Sequence, residues 1–115
     1  MRVATSERTG KGKKTVEQRV ETIASLLQHS LNQVAQSVTG PTLRTTRLAE
    51  RLELDKSLSS RLVRALKAEN PLELVHFIPS PTGLGMFLAA AEEKGAPAAQ
   101  CREARRAIEQ FRALL

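Results

Sequence analysis

The sequence predicts a mainly α-helical domain with one short strand. Three observations lead there. Apolar residues recur at steps of three and four over most of the chain, Pro and Gly interrupt them at helix-length intervals, and only one stretch is rich in β-branched and aromatic residues. The 115 residues are 41% hydrophobic but only 3% aromatic, with neither Trp nor Tyr, so there is room for a single core built of aliphatic side chains.

Residues 1–14 hold Arg2, Arg8, Lys11, Lys13 and Lys14 among Gly, Ser and Thr. Such a composition buries too little apolar area to offset its ordering entropy, which predicts a disordered basic arm. From there Val16, Val20, Ile23, Leu27, Leu31, Val34 and Val38 form one stripe, with Glu17, Arg19, Glu21 and Gln28 between them. The spacing predicts a long amphipathic helix, capped by Thr15 with Gln18 three residues on, and stopped by Gly40-Pro41.

Thr45 or Thr46 can cap a short second helix that turns Leu48, Ala49 and Leu52 inward. A break at residues 54–57 leads to a third helix, with Leu58, Leu62, Ala65 and Leu66 on one face and an end near Glu69, where Asn70-Pro71 forces the chain out of the α region. Residues 72–78, Leu-Glu-Leu-Val-His-Phe-Ile, predict the strand. Ser80-Pro81 then caps a helix carrying Leu84, Phe87, Leu88 and Ala91, which ends at Lys94-Gly95. A last helix places Cys101, Ala104, Ile108, Phe111 and Leu115 on one stripe. The chain stops in mid-pattern at Leu114-Leu115, which predicts a fragment of a longer protein. The domain organisation is a basic arm over 1–14, a core domain over 15–95 and a C-terminal helix over 96–115 that serves dimerisation or a linker.

The formal net charge is +6 and the pI about 10.3, with +4 in residues 1–14 and +3 in residues 39–71, which favours a polyanionic partner. One cysteine excludes an internal disulfide, and no apolar run approaches the roughly 18 residues of a membrane span. A cytoplasmic location follows as the expectation. His29, His76 and Cys101 show no metal-ligand or catalytic spacing, and no Gly-rich phosphate loop is present, so neither an enzyme nor a cofactor is expected.

The informative stretch is 48–66, which resembles a helix-turn-helix. Small Ala49 lets two helices cross closely, and Leu48, Leu52, Leu58, Leu62 and Leu66 supply their shared core. With that face buried, a helical projection turns Ser57, Ser60, Arg61 and Arg64 outward, with Lys56 at the helix start and Lys67 one turn later. Short hydroxyls permit close approach to a groove floor, Arg forks onto guanine or phosphate, and a helix N-terminus attracts phosphate. Arg44, Thr45 and Arg47, at the start of the preceding helix, complete the candidate surface.

Residues 43–72 resemble the winged helix-turn-helix of IclR-type and MarR-type bacterial transcription regulators. The nearest match, Leu54-Asp55-Lys56-Ser57-Leu58-Ser59-Ser60-Arg61-Leu62-Val63-Arg64-Ala65-Leu66, is similar to the recognition-helix pattern of IclR-type domains. The resemblance implies a winged helix-turn-helix over about 45–69 with a short or degenerate wing, flanked by long N- and C-terminal helices. It further implies major-groove recognition by the third helix through Lys56, Ser57, Ser60, Arg61 and Arg64. Glu53 stands where those families commonly have a turn Gly, at a cost of roughly 1 kcal/mol, and Pro71 stands where they often carry Gly before the first wing strand.

The expected function is sequence-specific binding of double-stranded DNA by the N-terminal domain of a transcription regulator. A homodimer is expected from two-fold half-sites and from the two terminal stripes. Arg61 is expected to read a base, Arg64 to play a mixed role and Lys67 to contact phosphate. The alternative is a protein-interaction module that uses the same fold for docking. RNA or single-strand binding ranks last, since three Phe offer no stacking platform.

Overall fold

The computed structural model describes residues 16–114; the basic arm of 1–14, the Thr15 cap and Leu115 lie outside them. Six helices follow one another: α1 (Val16–Thr39), α2 (Thr45–Leu52), α3 (Lys56–Leu66), α4 (Pro71–Phe77), α5 (Pro81–Glu93) and α6 (Ala98–Arg112). No strand occurs among the described residues.

α1 forms the spine. Leu27, Leu31, Val34 and Val38 of its stripe are buried, and the helix ends where Gly40 takes φ +87°. α6 packs along α1 and against α5, burying Cys101, Ala104, Ala107, Ile108 and Phe111. α2, α3 and α4 also pack on α1, which places the α2–α3 pair and α6 on one common support. Most of the two terminal stripes, one ground for expecting a homodimer, is therefore buried within a single chain, namely Leu27, Leu31, Val34 and Val38 of the first and Cys101, Ala104, Ile108 and Phe111 of the second, while Val20 and Ile23 are half-buried.

Local chemistry explains most boundaries. Ser80 Oγ accepts from Gly83 N at 3.2 Å with Pro81 in the first turn of α5, and α5 gives way to Gly95 at φ +97°. At α2 the expectation fails in detail: Arg44, not Thr45 or Thr46, is the N-cap residue, and no side chain caps that helix. α3 ends at Leu66, three residues before the expected Glu69.

The larger correction concerns 72–78. These residues form α4, not a strand, so the wing expected there is absent from the described residues. Asn70 is the reason: its Oδ1 accepts from Glu73 N at 2.9 Å, and Pro71 occupies the first turn with φ already suited to a helix. Seven residues suffice because Leu74 and Ile78 are buried against the core, so tertiary packing overrides β propensity.

Candidate nucleic-acid interface

Three residues join α2 to α3. Glu53 turns the chain with φ 54° and ψ 44°, the left-handed conformation, and its N–H returns to Ala49 O. Leu54 N also donates to Ala49 O, at 3.0 Å. Asp55 then caps α3, accepting from Ser57 N at 3.0 Å and from Leu58 N at 3.3 Å. Leu48 and Leu52 of α2 and Leu62 and Leu66 of α3 are buried, as the apolar spacing predicts, whereas Leu58, expected in the same core, is only half-buried at the start of α3.

With that face inward, Lys56, Ser57, Arg61, Arg64 and Lys67 are exposed and Ser60 is half-buried. α3 contains no Asp or Glu. Among the described residues, the ion pairs involve other cations: Lys94 with Glu53, Arg105 with Glu92 and Arg112 with Glu109. Arg44 and Arg47 are exposed at the start of α2, and Thr45 is half-buried. Arg51 of the same helix is engaged elsewhere, its Nε donating to Val38 O at the end of α1 at 3.1 Å.

The Asp55 cap alters one expectation. The α3 amides at Ser57 and Leu58, to which a phosphate was expected to be drawn, already have a carboxylate acceptor. The start of α2 lacks such a cap and has no acidic residue in its first turn.

Two features of this surface escape a reading of local spacing. From α1, Gln28 Nε2 donates to Ala65 O at 3.1 Å, Leu66 O at 3.3 Å and Ala68 O at 2.9 Å, and Asn32 Nδ2 donates to Leu66 O at 3.3 Å. Ala65 O also accepts from Ala68 N at 3.2 Å, whereas Leu66 O and Ala68 O, at and beyond the end of α3, are served by these side-chain amides. From α4, the Phe77 ring lies under the Arg64 guanidinium, whose Cζ is 5.4 Å from the ring centroid, and His76 meets Phe77 edge-on at 4.8 Å. Gln28 lies beside the apolar stripe rather than in it, among the residues that spacing assigns to the polar side, and is half-buried only because α3 ends against it. Phe77 gave no signal, because its partnership depends on how α4 packs.

His29 is exposed beside Gln33, His76 is exposed on α4 and Cys101 is buried. No group of three His, Cys, Asp or Glu suited to a metal ion occurs among the described residues. A shallow cleft of about 80 Å³ between α1 and α4, lined by Ala24, Gln28 and Pro71 among others, is much smaller than a typical small-molecule pocket. No single described helix is long and apolar enough to cross a membrane. The α4–α5 pair has the composition but bends by 85°, and its Leu74, Leu84, Phe87 and Leu88 are in the core.

Comparison with protein families, with curated proteins and with solved structures finds no match.

Proposed function

We propose that this chain binds double-stranded DNA through α3, as the helix-turn-helix domain of a transcription regulator of the kind its resemblance to IclR-type and MarR-type domains implies. One observation carries the reading. The outward face of α3 and its C-cap presents Lys56, Arg61, Arg64 and Lys67 together with Ser57 and Ser60, on a helix with no carboxylate of its own. A positive, short-hydroxyl face on the second helix of a tight helix pair suits a major groove.

In this reading Arg44, Thr45 and Arg47 meet the phosphate backbone at the uncapped start of α2. The protein acts as a homodimer on two-fold half-sites, through surface other than the buried parts of the two stripes. No catalytic step and no cofactor belong to this reading.

A fluorescence anisotropy titration against random duplex DNA at two salt concentrations tests it. Binding should weaken steeply between about 50 mM and 200 mM salt, with a log–log slope of roughly −3.6 to −5.4 for about four to six phosphate contacts. Absence of binding at the lower salt overturns the proposal. The docking-module alternative draws on Leu72, 81% exposed on α4, with Val75 one turn on. It would be supported if substituting these two residues abolished a protein association while Arg61→Ala left that association intact.

A further inference from the structure

Arg64 differs from the other cations of α3 in where its side chain rests. Its guanidinium lies over the Phe77 ring at 5.4 Å, within the range of a cation–π attraction. Phe77 is itself held in place. It is the last residue of α4, half-buried and packed against the core, and the following Ile78 N closes the helix onto Leu74 O at 2.8 Å. His76 braces the ring edge-on, with an interplanar angle of 78°. No ring lies against Arg61 among the described residues.

Direction matters differently for the two kinds of DNA contact. A phosphate is satisfied by a mobile positive charge arriving from many angles, whereas a base edge needs the guanidinium fork aligned with two acceptors. A ring face fixes the guanidinium while leaving it N–H donors to offer, which an ion pair with a carboxylate would engage. It also reduces the rotamer freedom that a long side chain must lose on binding.

We propose that Phe77 is a positioning residue for Arg64, a shelf that orders the guanidinium before DNA arrives and makes Arg64 a source of sequence discrimination. The inference rests on the DNA-binding reading above and departs from the expectation that Arg61 is the base reader. Phe77 does not touch DNA in this proposal; it acts only through Arg64.

The test compares two probes: a duplex selected by the wild-type protein from a random pool, and the unselected pool. Phe77→Leu should weaken binding to the selected duplex roughly two- to fivefold, the size expected of an exposed cation–π contact, and leave the unselected pool and the salt slope unchanged. Arg64→Ala should lose roughly fivefold or more on the selected duplex. Adding Phe77→Leu to Arg64→Ala should then cost nothing further. Phe77→Tyr, which retains a ring face, should restore wild-type discrimination.

In the free protein, the Arg64 Cδ protons should show an upfield ring-current shift that Phe77→Tyr preserves. This NMR readout keeps the proposal testable even if Phe77→Leu fails to fold. The inference is overturned if that shift is absent, if Phe77→Leu binds the selected duplex as the wild type does, if it loses equally on both probes, or if its loss persists in the Arg64→Ala background. Failure of the wild type to bind any duplex overturns the DNA-binding reading itself, and the inference with it. Wild-type binding with an inert Phe77→Leu overturns the inference alone.

Discussion

Gln28 and Ala68, forty positions apart, are joined by a 2.9 Å hydrogen bond from the side-chain amide of α1 to the main-chain carbonyl just beyond α3. The same nitrogen also faces Ala65 O and Leu66 O, which have Ala68 N and Asn32 Nδ2 as further donors, so Ala68 O is the acceptor that depends on this glutamine in a partly buried place. Replacing it with Leu preserves bulk and removes the donor. Gln28→Leu should therefore cost about 1–3 kcal/mol, read as a lower urea midpoint at unchanged m-value. An unaltered midpoint would show that water replaces the amide without loss.

Glu53 occupies the left-handed turn with φ 54°. Its carboxylate meets Lys94 at 3.5 Å, but the Glu53 side chain is 79% exposed, so this pair contributes little. Glu53→Gly should raise stability by about 0.5–1 kcal/mol, because relief of the turn exceeds the added freedom of the unfolded chain. The melting temperature checks this, and a decrease would contradict it.

Asp55→Ala separates stability from affinity. Loss of the cap should cost about 1 kcal/mol. Removal of a negative charge beside Lys56, together with release of the Ser57 and Leu58 amides, should tighten binding to duplex DNA at low salt. Thermal unfolding and anisotropy on one preparation should move in opposite directions.

Cys101 offers a pH-dependent readout. Burial, and secondarily the Glu92 carboxylate, raise its thiol above the ordinary value of 9.0, with Arg105 opposing. The unfolded chain ionises this thiol first. Its contribution to stability is therefore intact below about pH 9 and is lost as pH rises from there through the raised folded value. Between those limits the wild type should lose stability relative to Cys101→Ala, and iodoacetamide should react with the native protein only as fast as it opens. Rapid alkylation at pH 8 without denaturant would contradict the burial argument.

Elements bounded by local chemistry were legible in the sequence. The α1 stripe ending at Gly40, the Ser80-Pro81 start of α5 and the inward face of α6 all follow from spacing and caps. α4 was missed although Asn70-Pro71 uses the same pattern as Ser80-Pro81, a capping side chain followed by a first-turn proline. The β-branched and aromatic character of 72–78 outweighed that signal, and the burial of Leu74 and Ile78, which adds to the Asn70 cap in favour of the helix, is a matter of tertiary packing. The terminal stripes were legible as stripes, but their periodicity does not say whether the surface that covers them is the same chain or a second copy. At the candidate interface, the outward set on α3 could be projected from helical geometry. Phe77 beneath Arg64 could not, since it depends on how two neighbouring helices pack.

The grip of Gln28 and Asn32 on α3 is entirely on main-chain oxygens. No side chain of the outward face takes part in it, so Ser57, Ser60, Arg61 and Arg64 can be exchanged for other residues while the helix keeps this anchor to α1. The scaffold is thereby suited to retargeting: a library confined to those four positions should yield folded variants that differ in what they bind.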